Sequence, residues 1–442
     1  MSTLHGEYRR HARTDIRTDV SVDLTTANLD TRTLDVSERG MAIKKPTALS
    51  LEPGQTVNVI FNRMGGKTVT AKIVHIGQNH IGLQLEQARF SEGDIDHIIR
   101  SAPLWQRWRT SMRRSLWKQA RRATVLLTNT VLRRPLLALV KPRFLFAVYG
   151  NERDVSTYYT PRMLKMIPPN IIGGLILNRG FRGLLVGSKF LESELAQDSD
   201  KVRQYLEDLR EEFPSVDKIA LVGRLPNFTM KAGIDIEPPY VDGSMGTRYM
   251  IWDVARQMRE LPEYHGENSI VVLGGAGRIG NQVCEDLAKD FSTVVAFDPR
   301  YDQEEKIYTP DGMILRTSKS LRLSDHQLFI GLTHHGDVIE ELQSYLSPGA
   351  LIADDTHPCI SPRVRASLAG HHVKVMKIVL SHEAFNTWPR MPAWNNRDIP
   401  GCLVETLVLL EQNADRADDM AAFCHTAEQI GFHGKLVPPL DD

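Results

Sequence analysis

The chain reads as a multidomain protein with a small all-β barrel at its N-terminus, a basic amphipathic helical linker, and a doubly wound α/β module at its C-terminus. Three observations predict this. Short alternating apolar runs separated by Gly and Pro occupy residues 8 to 90. A stretch without acidic residues follows, with apolar side chains spaced by three and four. From Phe144 onward strand-like and helix-like segments alternate around a glycine-rich turn. The boundaries expected are 1–95 for the barrel, 96–143 for the linker, 144–260 for a substrate or interaction lobe, and 261–442 for a dinucleotide-binding domain with terminal helices.

A length of 442 residues suits two or three domains, and 42% hydrophobic content is ordinary for a globular chain. The 54 basic and 54 acidic residues balance, so overall charge gives no pull toward nucleic acid or membranes. No run approaches 18 uninterrupted apolar residues and the N-terminus lacks a signal-peptide core, which leads to the expectation of a cytoplasmic protein. The four cysteines, at 284, 359, 402 and 424, show no metal-ligand spacing. No metal is expected, and the thiols are expected to be reduced.

In the first segment, Val20-Ser-Val22-Asp-Leu24 alternates, Thr56–Phe61 and Lys67–Ile76 read as strands, and Ile81–Leu85 alternates again. Pro53-Gly54 and Gly65-Gly66 punctuate them as turns. Ahead of the first strand lies Arg9-Arg10-His11-Ala12-Arg13, an R-x-x-x-R. Asp35-Val36-Ser37-Glu38-Arg39-Gly40, a D-x-S-x-x-G, falls where a strand ends. The two motifs in this order, followed by strand patterning, resemble the PilZ family, whose members bind the bacterial second messenger cyclic di-GMP. The resemblance implies a β-barrel fold and a messenger site made of Arg9, Arg10, Arg13, Asp35, Ser37 and Gly40. The chemistry suits that ligand. Arginine donates a planar fork to phosphate or to the guanine O6/N7 edge and stacks on purines. A carboxylate accepts from guanine N–H groups, and glycine lets backbone pass close to a base.

Between Asp96 and Glu152 the linker carries only basic charges, among them Arg107, Arg109, Arg113, Arg114, Lys118, Arg121 and Arg122. Trp105, Trp108, Met112, Leu116, Ala120, Ala123, Leu127 and Val131 form an apolar stripe, and the helix is expected to end near Pro135. Three readings fit. The helix is an interdomain connector, or it lies on anionic lipid through residues 104–134, peripheral to the inner membrane. The third, nucleic-acid contact, ranks last because nothing around it resembles a base-reading module, so no specific nucleic acid is expected.

In the C-terminal half, Asn268–Gly274 reads as a strand, Gly275-Ala-Gly277-Arg-Ile-Gly280 as a G-x-G-x-x-G turn, and Asn281–Asp290 as a helix. Thr293–Phe297 is a second strand ending at Asp298. This is the order of a Rossmann dinucleotide site. Gly275 is expected to permit the tight turn, Gly277 to let backbone approach a pyrophosphate, and Gly280 to seat the helix close to the sheet. Asp298 suits the ribose hydroxyls of NAD, while Arg300 suits the 2′-phosphate of NADP, so both cofactors stay open. Further strands at Gln327–Leu332 and Ala350–Asp354, with a helix at Val338–Leu346 between them, extend the sheet. Thr333, His334, Asp354, Asp355, His357 and Cys359 would line a cleft beyond the strand ends.

The order Phe146-Ala-Val-Tyr-Gly150, then Asp242-Gly-Ser-Met-Gly-Thr-Arg248, then the glycine fingerprint resembles the long-chain acyl-ACP reductase family and related dehydrogenases, over residues 145 to 435. That resemblance implies reduction of acyl thioesters to aldehydes with NADPH through an acyl-cysteine. At the place of the family's nucleophile this chain has Ser381-His382-Glu383-Ala384-Phe385, without cysteine. Cys359 and His382 are the candidate catalytic residues that remain, as nucleophile and as general acid or base. The sequence thus points to a cyclic di-GMP receptor coupled to a nicotinamide-dinucleotide-binding, oxidoreductase-like module. The alternatives are an inactive effector scaffold acting through protein or membrane contacts, and an active reductase taking a small-molecule or acyl substrate.

Overall fold

In the computed structural model, apolar residues at alternate positions close the N-terminal segment into a six-stranded barrel. The structure describes residues 19–24, 27–37, 40–45, 52–61, 67–76, 80–85, 98, 119–120, 122–150, 159, 161–264, 267–389, 394–417 and 419–439. The chain divides into two compact units, Met1–Arg121 and Arg122–Asp442. The first holds β1 (Asp19–Leu24), β2 (Ala27–Ser37), β3 (Gly40–Lys44), β4 (Thr56–Phe61), β5 (Lys67–Ile76) and β6 (His80–Leu85). They close in the order β1-β2-β3-β6-β5-β4 with every neighbouring pair antiparallel. Alternation buries Val57, Val59 and Phe61 of β4, Val69, Ala71 and Ile73 of β5, and Ile81, Leu83 and Leu85 of β6 in one core. Each fully buried aliphatic side chain contributes about 1.5–3 kcal/mol, and closure removes the exposed sheet edge. Irregular register at Thr33/Asp35 and at Ile73/His75 supplies the added twist that closing a small barrel requires.

The second unit contains two sheets. The first joins β7 (Phe144–Gly150), β8 (Asn170–Asn178), β9 (Phe181–Leu191), β10 (Lys218–Leu221) and β11 (Tyr240–Val241) in the order β11-β10-β7-β9-β8, and only β8 runs against its neighbours. Helix α1 (Ser199–Glu212) covers one face with Val202, Tyr205, Leu206 and Leu209. Residues 144–260 do not complete this sheet. Its last strand, β19 (Asn386–Trp388), returns from far downstream to pair with β8.

The second sheet has nine strands. Six of them, β12 (Ser269–Leu273), β13 (Thr293–Phe297), β15 (Met313–Thr317), β16 (Leu328–Gly331), β17 (Leu351–Asp354) and β18 (Lys374–Ser381), are parallel. Their spatial order β15-β13-β12-β16-β17-β18 is the 3-2-1-4-5-6 arrangement of a doubly wound dinucleotide fold. Antiparallel β14 (Glu305–Tyr308), β20 (Asp398–Ile399) and β21 (His433–Val437) extend it. Parallel strands covered on both faces need continuous apolar runs, as in Ile270–Leu273 and Leu328–Ile330. One face packs on α2 (Ser244–Arg259), α3 (Arg278–Leu287), α5 (Gly401–Gln412) and α6 (Met420–Ile430). The other packs on α4 (Pro362–Gly370) and on a 3₁₀ helix, Gly336–Tyr345, which stands where the sequence suggested an α-helix.

The linker helix Arg122–Asn129 ends shortly before Pro135, near where the sequence placed its end. Pro135 itself sits in the first turn of a second helix, Arg133–Val140, where no intrahelical N–H is needed. The residues that dock are polar. Buried Arg133 bonds Asn129 at 2.8 Å, the Asn170 carbonyl at 2.9 Å, and Glu212, while Asn129 accepts from the Ile172 N–H at 2.7 Å. Leu127 and Val131 of the expected apolar stripe are instead 49% and 72% exposed. Among the described residues no single helix is long and apolar enough to cross a membrane.

Helix α2 ties the second unit together. Arg248 forms a two-pronged bond to Asp286 of α3, at 2.6 and 2.8 Å, with both groups largely buried. Removing one partner of such a pair strands the other charge, at about 3–5 kcal/mol. Asp286→Ala should lower the stability of this unit by that amount in urea unfolding; a loss below 1 kcal/mol would show that solvent reaches Arg248.

Candidate functional site

In the second sheet the chain leaves β12 toward β13 and leaves β15 toward β16, so connections diverge between the neighbours β12 and β16. A crevice opens there beyond the C-terminal strand ends. The loop after β12 fills it with glycines for distinct steric reasons. Gly274 carries the tight turn, with φ of 93° and a hypothetical Cβ only 2.7 Å from the Leu332 carbonyl oxygen. Gly275 lets the loop lie on β13, where a Cβ would meet that of Ala296 at 2.8 Å. Gly280 seats α3 against the loop, its Cβ falling 2.2 Å from the Gly274 oxygen. The turn role expected of Gly275 thus belongs to Gly274. Gly277 caps α3 and has more room, with the Gly274 oxygen at 3.1 Å from its hypothetical Cβ and Arg300 Nη2 at 4.0 Å. No side chain caps α3, and its first turn holds no acidic residue. The first N–H groups of a helix lack intrahelical partners, which leaves the positive end of α3 suited to an anion.

Two arginines flank this loop. Arg300 forks onto Asp298 through Nε at 2.9 Å and Nη2 at 2.8 Å, and Asp298 also accepts from the Ala276 N–H at 3.1 Å. Burial alone would raise the Asp298 carboxyl, but the Arg300 fork and the two N–H groups outweigh it and hold the acid below its usual range. Arg278, at the start of α3, reaches Asp242 at 2.6 Å. The other Asp242 oxygen accepts from the N–H and hydroxyl of Ser244 and so shapes the turn leading into α2. Glu405 of α5 accepts from the Met245 and Gly246 N–H groups at the start of α2. Its burial, then the nearby Asp242 carboxylate, push it up to about 7.

Loops after the strands of the first sheet meet the start of α5, where Cys402 lies against Gly223 and Gly243. Tyr149 ends near the C-terminus of β7 and accepts from the Arg224 N–H at 2.9 Å, while burial pushes its phenol up to about 12. Gly243, with φ of 73°, would place a Cβ 2.5 Å from that of Cys402. Burial pushes the Cys402 thiol up to about 12, against the N–H of Gly223.

After β17, Asp354 organises the following loop, accepting from the Thr356 N–H and hydroxyl with one oxygen and from the Ile360 N–H with the other. Asp355, its side chain 12% exposed, lies 3.8 Å from His357, which is 52% exposed. Burial, then the Asp354 carboxylate, push Asp355 up to about 8. Cys359 is exposed in the same loop. Thr333 and His334 follow β16, where the Thr333 hydroxyl donates to the His335 carbonyl. His382 has both ring nitrogens engaged: Nδ1 accepts from the Ala384 N–H, Nε2 meets the Ile430 carbonyl at 3.1 Å, and the ring packs on Phe432. The structure therefore brings together Gly275, Gly277, Gly280, Asp298 and Arg300, with Gly274, Asp242, Arg278 and Glu405 as members that spacing alone did not reveal. Arg278 was visible as the residue after Gly277 in the fingerprint; the others depend on tertiary contacts.

In the barrel, Arg9, Arg10 and Arg13 lie outside the described residues, as do Trp105, Trp108, Met112 and Leu116 of the linker. Asp35 and Ser37 lie in the last part of β2, paired through their backbones with Ala42 and Gly40. Gly40 starts β3 between β2 and β6, and a Cβ there would fall 2.4 Å from the Leu83 carbonyl oxygen. Close strand packing by itself requires this glycine.

Among curated proteins, none matches this chain. Solved structures similar to it include the Bacillus subtilis inhibitor of motility MotI/DgrA, at 19% identity over 25% of this chain and 52% of that one, TM-score 0.19. The chain thus spans about half the length of that relative. The PilZ domain of Escherichia coli YcgR, solved with c-di-GMP, shares 18% identity over 26% of this chain and 98% of its own, TM-score 0.19. L-tryptophan dehydrogenase from Nostoc punctiforme shares 9% over 65% of this chain and 80% of its own, TM-score 0.32. A sequence model of the PilZ domain family matches residues 7–101, the segment that carries the six-stranded barrel. Residues 7–101 of this chain are a PilZ domain.

Proposed function

We propose that the chain is a cyclic di-GMP receptor whose C-terminal module binds a nicotinamide dinucleotide and answers to the messenger. The PilZ match supports the receptor half. The observation that carries the other half is the Gly274–Gly280 loop at the divergence of β12 and β16, opening on an uncapped α3. A pyrophosphate fits the residues present. Gly277 leaves space for it, the α3 N-terminus supplies N–H donors, and Arg278 and Arg300 supply cationic forks on either side. Asp298 suits a ribose, and Arg300 suits a 2′-phosphate once it turns from Asp298. Such a cofactor, when bound, supplies a hydride at its nicotinamide ring.

The messenger site is proposed at Arg9, Arg10, Arg13, Asp35, Ser37 and Gly40. Arg9→Ala combined with Arg13→Ala removes charge-assisted bonds worth about 1.5–3 kcal/mol each, so cyclic di-GMP affinity should fall by at least two orders of magnitude. Calorimetric titration checks this, with unchanged barrel melting as control; normal binding by the double variant would remove the arginine arm from the site.

An inactive scaffold is the second reading, favoured by the cysteine-free Ser381–Phe385 segment and by the engagement of both His382 nitrogens. Oxidation of NADPH or NADH against a panel of carbonyl compounds, with and without cyclic di-GMP, separates the two. Gly277→Val should lower dinucleotide affinity at least a hundredfold by filling the phosphate space while leaving melting nearly unchanged. Equal affinity in fluorescence titration would discredit the loop as the site.

Membrane contact through residues 104–134 belongs to the same proposal, supported by the exposure of Leu127, Val131 and Arg134 within a stretch free of acidic residues. Each basic residue near an anionic surface adds about 1 kcal/mol. The chain should float with phosphatidylglycerol vesicles and not with phosphatidylcholine ones, and should leave them at high salt; equal flotation with both would point away from an electrostatic contact.

A further inference from the structure

We propose that Asp355 and His357 are the acid–base pair of the cleft, passing a proton to the carbonyl oxygen of a small aldehyde or ketone as hydride reaches its carbon. The proposal rests on dinucleotide binding at the glycine loop and assigns the chemistry that would follow there. It replaces His382, whose nitrogens are both engaged, and Cys359, which the reaction does not need.

Placement carries the inference. Asp355 follows β17, and its N–H donates to the Gly331 carbonyl at the end of β16 at 3.0 Å, which holds it beside the crevice. Its carboxyl is nearly enclosed whereas His357, 3.8 Å away, is half exposed, so one group sits inside and its partner reaches water. Neighbouring acids do not serve. Both Asp354 oxygens are spent on Thr356 and Ile360, and Glu405 holds the start of α2. The charged and titratable groups facing Asp355 are Asp354 beside it on β17, Lys377 on β18, His357 in its own loop and Cys402 on α5. Burial and Asp354 together outweigh Lys377, so the carboxyl keeps its proton at neutral pH. Partial desolvation by the loop and the Lys377 ammonium lower the His357 ring, which stays neutral and able to relay.

The step balances. A bound reduced nicotinamide would supply the hydride for the new C–H bond on the carbonyl carbon. The C=O π pair takes the Asp355 proton and forms the O–H bond. The Asp355 carboxylate regains a proton through His357 from water, leaving an alcohol and the oxidised dinucleotide. A general acid of this kind contributes about 10²–10⁴-fold.

The test uses the full chain and two readouts. Infrared difference spectra between pH 6 and pH 10 should contain a protonated-carboxyl band lost with a midpoint near 8, and Asp355→Asn should remove it while Glu405 stays in both proteins. With NADPH and a panel of short aldehydes and 2-oxo acids, turnover should fall as pH rises through about 8. Asp355→Asn should lower the rate at least a hundredfold and abolish that limb with NADPH affinity unchanged, and His357→Gln should slow it less. A component with its midpoint near 8 that persists in Asp355→Asn beside the Glu405 component near 7, or wild-type turnover in that variant, overturns the assignment. A chain that binds NADPH but reduces no carbonyl overturns it too and leaves the binding site standing. A chain that binds neither dinucleotide overturns the glycine-loop reading itself, and the hydride step with it.

Discussion

The close crossing of α2 and α5 holds the C-terminal module in its working shape. A Cβ at Gly246 would fall 2.2 Å from the Gly401 carbonyl oxygen, and one at Gly401 would fall 2.7 Å from the Thr247 Cα, so only two glycines let these helices approach as they do. The same approach delivers Glu405 to the first N–H groups of α2 and sets Cys402 against Gly243. Because α2 begins where the first sheet ends and α5 begins just after β20 of the second, the contact draws the strand ends of both sheets to one crevice. A wider crossing would part Glu405 from the start of α2 and Cys402 from Gly243.

The charges of this crevice are poised rather than simply neutralised. Asp242 is shared between the α2 turn and Arg278, and Asp298 is shared between the loop N–H of Ala276 and Arg300. Each arginine is thus held beside the glycine loop by a carboxylate. Asp298 is buried, so Arg300 turning away would leave that carboxylate with backbone N–H partners alone. Releasing Arg278 would also leave Asp242 beside Glu405, which burial, then repulsion from Asp242, already push up to about 7.

Much of this was legible in the amino-acid order, and the failures are instructive. Four barrel strands announced themselves because one face is buried and the other wet, giving the period-two pattern in Thr56–Phe61 and Ile81–Leu85. Most of β2 escaped because Asn28, Asp30, Thr31, Arg32 and Thr33 hide that alternation, and its junction with β3 read only as a turn motif. The fingerprint was legible because its glycines answer local steric demands, although the sequence could not say that Gly274 would take the positive φ. Pro135 marked the break near it, although the proline stands in the first turn of the second helix and not at the end of the first. Asp355 was legible from its place after a strand and Asp242 from its motif, whereas Glu405 was not, because it reaches the start of α2 only through the packing of α5 on α2.

The same kind of packing fixes the end of the linker to the second unit. Arg133 is buried among Asn129, Asn170 and Glu212, and Asn129 bonds both the N–H and the carbonyl of Ile172 on β8. Breaking a buried charge pair of that sort costs about 3–5 kcal/mol, more than the 1–3 kcal/mol of a typical coupling between sites. The stretch from Asn129 to Val140 consequently behaves as part of the C-terminal module.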